Sequence, residues 1–208
     1  MTPCSLDPWI SDGPVPIHAA ELLPAPTSAA AMDRALQFLS RTDVEGSAFV
    51  IVRLPRRDDE RSRALDAIVR SALAPRICVS VDSSSLHEVQ DQVRNGDGVA
   101  LMLDEVDAQT PPADFIRGSL NAVRFRADFV ARAARDVRHG CALSAMLALA
   151  RDLGLATLGP VTAPNEDWLV PGTQFDYVPV YSAESRADAA RPARRAAAPQ
   201  GRAFHLSR

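Results

Sequence analysis

RICVSVDSSSLHEVQDQVRNGDGVALML, residues 76–103, sets two short apolar runs on either side of an amphipathic segment. Arg76–Val81 and Val99–Leu103 have strand length and are bounded by Pro, Asp, Ser and Gly. Between them Leu86, Val89 and Val93 recur at helical spacing, after Ser85 and Glu88 in the positions of a capping box. Strand, helix and strand in that order predict a βαβ unit, whose strands lie parallel under a covering helix.

The same alternation extends in both directions. Val15–Ala19, Ala48–Leu54, Ala122–Phe125, Ala156–Leu158 and Phe175–Val180 are further apolar runs, which brings the candidate strands to seven. Leu65, Ile68, Val69 and Ala72 mark a helix before the third of them. Cys141–Leu153 is apolar on nearly every side and is expected to pack deeply, with Gly154 ending it. A parallel sheet covered by helices can be a barrel or an open doubly wound sheet, and the pattern alone does not choose.

At 208 residues the chain fits one domain, residues 1–182, and an Ala/Arg/Pro-rich tail, residues 183–208, expected to be mobile and solvated. No apolar run approaches the roughly 20 residues that span a bilayer, and MTPCSLDPW is no signal peptide, so a cytoplasmic location without membrane insertion is expected. Cys4, Cys78 and Cys141 include no CxxC pair, which gives neither a disulfide framework nor a zinc site. Six arginines in the tail stand against Glu184 and Asp188, leaving a mildly acidic body that argues against a nucleic-acid partner. Every basic residue other than histidine is Arg; the chain has no lysine.

PWISDGPVPIHAAELLP, residues 8–24, resembles the opening of EAL domains, above all those fused to HDOD domains, where a strand, a turn and a second strand lead into a Glu-x-Leu signature. GVALMLDEVD at 98–107 resembles the strand ending in that family's paired aspartates. LNAVRFRADFV at 120–130 resembles the strand ending in Lys-Ile-Asp, and the stretch from Leu149 to Leu169 resembles the helix, turn and strand ending in Ala-Glu-Gly-Val-Glu. FDYVPVYS at 175–182 closes the series. The resemblance implies an EAL-like (β/α) TIM-type barrel, shortened or incomplete because such barrels usually need about 250 residues, with its site at the C-terminal ends of the strands.

The resemblance also implies a site for hydrolysis of cyclic-di-GMP by metal-activated water, and residue by residue this sequence departs from it. Glu21 keeps the signature Glu, and Asp104 and Glu105 keep acidic groups at the paired aspartates; these three are the remnant of the family metal site. The expected Asn is Arg53, the next Glu falls at about Val79 with Asp82 as an echo of a later acidic position, the site Lys aligns with Arg124 and the Asp after it with Arg126. The two later glutamates fall at about Gly159 and Thr162, a phosphate-gripping Arg at Ala25 and the closing Gln at about Pro179. Two like unit charges about 4 Å apart at an effective dielectric of 20 repel by about 4 kcal/mol, and a dication doubles this. Arginines in those places oppose bound metal, so the expectation is a chain without enzymatic activity, cofactor or metal.

Two readings of what remains follow. In the first, the protein is a regulator that binds an unidentified protein partner, in cyclic-di-GMP, motility or biofilm signalling. In the second, Arg53, Arg124 and Arg126 form an anion site that binds cyclic-di-GMP or a related anion. A residual metal-dependent phosphodiesterase is a third, weaker reading. Against all three stands a plainer expectation, that Glu21, Asp104 and Glu105 simply form salt bridges with those arginines. His139 and Cys141 lack the further ligands of a zinc site and read as a helix-start loop. Cys78 reads as a small core residue, and Trp168 with Leu169 as core or an interface anchor.

Overall fold

The computed structural model describes residues 4–11, 18–42, 47–93, 98–116, 120–160 and 174–179. Eight strands run β1 (Ser5–Ser11), β2 (His18–Leu23), β3 (Ser47–Arg53), β4 (Ile77–Val81), β5 (Ala100–Val106), β6 (Leu120–Phe125), β7 (Ala156–Leu158) and β8 (Tyr177–Pro179). They pair in sequence order and close into a barrel. From β2 to β8 the neighbours are parallel, whereas β1 is antiparallel to both β2 and β8. The seam is thin: β7 and β8 are three residues each and meet at Leu158 and Tyr177.

Helices α1 (Ala29–Arg41), α2 (Asp58–Val69), α3 (Leu86–Val93), α4 (Pro112–Ile116), α5 (Ala127–Ala133) and α6 (Val137–Asp152) cover the outside. They follow β2, β3, β4 and β5, with both α5 and α6 after β6; among the described residues none lies between β7 and β8. The shortening expected from chain length therefore falls on the helical layer and on the last two strands. The ambiguity between barrel and open sheet is resolved by β1, whose Pro8 hid it from strand periodicity, because Pro is excluded from most paired strands. The run Val15–Ala19 is displaced to His18–Leu23, with 12–17 outside the described residues.

Period-two alternation divides each strand between two apolar clusters. Val50, Val52, Ile77, Val79, Val81, Leu101, Leu103, Val123 and Phe125 face outward and pack with Leu65, Ile68, Val89, Val130 and Leu143 of the helices. Ala19, Phe49, Ile51, Cys78, Met102, Ala122, Leu158 and Tyr177 fill the barrel. The interior is thus apolar over its lower layers. One step further along the same inward rows stand Glu21, Arg53, Ser80, Asp104 and Arg124.

Three local expectations change. Ser85 and Glu88 form no capping box: the Ser85 hydroxyl donates to Asp82, and Glu88 accepts from Arg61 of α2. Helix α6 buries one face, Leu143, Leu147 and Ala150, while Cys141, Ala145 and Ala148 are exposed, so its apolar composition overstates its depth. His139 and Cys141 lie within α6 and not in a loop; Asp136 caps the helix and pairs with His139 Nδ1 at 2.6 Å. The tail 183–208 and the pair Trp168 and Leu169 lie outside the described residues.

Candidate functional site

Five consecutive strands each place one polar side chain at the C-terminal mouth of the barrel: Glu21 (β2), Arg53 (β3), Ser80 (β4), Asp104 (β5) and Arg124 (β6). Arg124 is the centre, with its side chain 2% exposed. Its Nε donates to Asp104 Oδ1 at 2.6 Å and its Nη2 to Asp104 Oδ2, while Nη1 reaches Glu21 Oε2 at 2.9 Å. A planar fork engages one carboxylate twice and a second once, a geometry open to Arg and not to Lys.

Arg53 closes the cluster from above. Its Nε donates to Glu21 Oε1 at 3.0 Å, and its Nη2 lies 3.8 Å from Asp104 Oδ2. With 39% of its side chain exposed, it is the solvent-facing cation of the pair. The Ser80 hydroxyl donates to Asp104 Oδ2 at 2.7 Å, and the Glu105 backbone N–H donates to Asp104 Oδ1 at 2.8 Å. Asp104 therefore accepts from four donors, about the capacity of a carboxylate. Burial pushes the Asp104 carboxyl up, but Arg124, Arg53 and Ser80 outweigh that and hold it below the usual carboxylate range. Burial likewise pulls the Arg124 guanidinium down, and Asp104 and Glu21 raise it above the ordinary arginine value.

Not all the anticipated residues meet. Glu105 is exposed and sits at φ 56°, where the β5–β6 register shifts between Leu103 and Val106. The bulge turns Glu105 to the rim while Asp104 points inward. Arg126 leaves the cluster as well: its Nη1 pairs with Asp107 at 2.9 Å, and its Nη2 donates to Asp128 at 2.9 Å. A cavity of about 370 Å³ nevertheless brings Arg53, Arg124, Arg126 and Glu105 to one opening, with Asp128 beside them. Val79, where a family Glu was expected, faces the helices; Ser80 takes the inward place. That shift of one residue is a matter of register, to which a run of small and apolar residues gives no clue. Below the cluster, burial raises the Cys78 thiol to about 12, with Arg124 lowering and Asp104 raising it, so the group stays protonated as an interior side chain.

No protein-family profile matches the chain, and no curated protein sequence does. Solved structures do. The PaMucR phosphodiesterase in complex with c-di-GMP superposes with a TM-score of 0.59 at 16% identity, over 85% of this chain and 88% of that one. The EAL enzyme Bd1971, bound to cAMP and cyclic-di-GMP, gives 0.61 at 12% identity, over 85% of this chain and 60% of its own. BlrP1 of Klebsiella pneumoniae, with manganese and cy-diGMP, gives 0.61 at 13%, over 86% of this chain and 54% of its own. The fold is an EAL-like barrel. The expectation that the chain is no enzyme is corrected by the same comparisons. The solved structures that share this EAL-like barrel include a phosphodiesterase and an EAL enzyme, and ligand positions changed along a sequence are no ground for placing it outside their class.

The residues at the mouth do not fit the divalent-metal site that the resemblance implies. All four oxygens of Glu21 and Asp104 accept hydrogen bonds, three of them from Arg124. Among the described residues, no group of three or more His, Cys, Asp or Glu side chains is gathered to hold a metal ion.

Proposed function

We propose that this EAL-like protein is a regulator in cyclic-di-GMP signalling, in the cytoplasm, acting through contact with a protein partner in motility or biofilm control. The observation that carries this reading is the internal neutralisation of the strand-end site. Two buried carboxylates meet two guanidinium groups, so the cluster presents no net charge to a dianionic nucleotide. The rim adds Glu105, Asp107 and Asp128 against Arg126, which makes it acidic. Among the described residues no helix is long and apolar enough to cross a membrane.

A second reading has its own support. Arg53 and Arg126, each about two-fifths exposed, line one cavity with Arg124 and could receive phosphate oxygens of cyclic-di-GMP if Arg126 released Asp107 and Asp128. Calorimetric titration of the full chain with cyclic-di-GMP, with and without magnesium, followed by assay of the recovered nucleotide, separates the readings. The protein-contact reading expects no heat of nucleotide binding. Micromolar binding abolished by Arg53→Ala establishes the second reading, and magnesium-dependent loss of the nucleotide assigns the site to hydrolysis and overturns both.

A further inference from the structure

We infer that the Arg124 guanidinium is the tethered counter-ion of the strand-end carboxylates, standing where Glu21 and Asp104 would otherwise hold a divalent cation. The inference is independent of which partner or nucleotide the protein binds. It follows from how the oxygens are used. Asp104 receives Arg124 Nε and Nη2, the Ser80 hydroxyl and the Glu105 N–H, leaving no lone pair directed at a further cation. Glu21 divides its oxygens between Arg124 and Arg53. Both carboxylates are buried, 4% and 8% exposed, so the charge they face is supplied by these side chains and not by solvent.

The arrangement also explains its position. A metal ion draws ligands from separate strands to one point, and Arg124 does the same, joining β2 to β6 across the barrel mouth. Because the cation is covalently attached to β6, its occupancy does not depend on metal concentration or on a free chelator. Removing the guanidinium without removing the carboxylates leaves two buried anions and the Ser80 hydroxyl, oxygen donors suited to a hard dication, against the single charge of the half-exposed Arg53.

The test is manganese binding to the full chain, read by electron paramagnetic resonance and by the shift of Tm, for the wild type, Glu21→Gln, Arg124→Met, and Arg124→Met combined with Glu21→Gln. Arg124→Met is expected to bind Mn²⁺ at least about tenfold more tightly than the wild type, since a full unit charge at hydrogen-bond distance is removed. Mn²⁺ should raise its Tm and leave that of the wild type unchanged, and Glu21→Gln should abolish the gain. If Arg124→Met refolds only with Mn²⁺ present, the inference is supported by that alone. Wild-type Mn²⁺ binding that Glu21→Gln removes would overturn it, as would a folded Arg124→Met without added affinity, or a variant that refolds neither with the ion nor without it.

Discussion

Asp104 and Glu105 are adjacent carboxylates with opposite surroundings, and each makes a prediction. Asp104 is buried and held below its usual range, so it stabilises the fold above its unfolded value of about 3.9 and that contribution is lost as pH falls through the folded value. Asp104→Asn leaves Arg124 without its main partner and is expected to cost about 3–5 kcal/mol at pH 7. In urea melts at pH 7 and pH 3, the difference between wild type and variant should shrink at the lower pH; an unchanged difference would remove Asp104 as the titrating group. Glu105 is exposed in the left-handed region, which costs a non-glycine residue about 1–2 kcal/mol. Glu105→Gly removes that strain but loosens the unfolded chain, for a net gain of about 0.5 kcal/mol in the same melts. The acidic character of these positions and the presence of Arg124 were legible in the sequence. That the site carboxylates would form salt bridges with the strand-end arginines was expected too, and holds for Glu21 and Asp104. Which guanidinium each one meets was not legible, because the Glu21–Arg124 contact between β2 and β6 joins residues 103 apart and depends on closure of the ring.

Among the elements, the thin seam between β7 and β8 relies on a side chain. Thr157 is fully buried; its hydroxyl and its backbone N–H both donate to Asp176 Oδ2 at 2.8 Å, and the Asp176 N–H donates back to the hydroxyl at 3.1 Å. Thr157→Val keeps the shape and strands those partners, at an expected cost of about 1–3 kcal/mol by chemical denaturation. A cost near zero would show that backbone pairing alone holds the seam. Helix α1 shows how local signals work when they are sufficient: the Ser28 hydroxyl accepts from the Ala31 N–H at 3.2 Å, and Met32, Ala35, Leu36 and Leu39 follow as its buried stripe. Asp82 shows the opposite case. Its position after β4 resembled a site carboxylate, yet its Oδ1 takes the Ser84 hydroxyl and the Ser85 hydroxyl and N–H, which makes it a turn residue and keeps its carboxyl below the usual range despite partial burial.

For the whole molecule, closure depends on the one strand that runs against the others. β1 pairs with β2 from Ser5 to Ile10 and with β8 at Trp9, Ile10 and Ser11, so it has no free edge where the two ladders overlap. Deleting residues 1–11 exposes the edges of β2 and β8, and unpaired edges template association between chains. The truncated chain is expected to lose its cooperative thermal melt and to sediment as aggregates; a soluble monomer with an unchanged melt would show that the barrel does not need β1.

Alternation of apolar runs with amphipathic segments was enough to determine a parallel, helix-covered sheet, because burial on both faces of a strand and on one face of a helix is a local property of composition. The residue types available at the mouth, with Arg in place of any Lys, were likewise set by the sequence. Closure, register and the partners of each charge were decided only in three dimensions. A one-residue shift exchanges Val79 for Ser80 on the inner face, and a bulge sends Glu105 outward while Asp104 turns in. Where a guanidinium comes to lie between two carboxylates is set by those non-local choices, since the energy of a charge depends on what surrounds it and not on its neighbours in the chain.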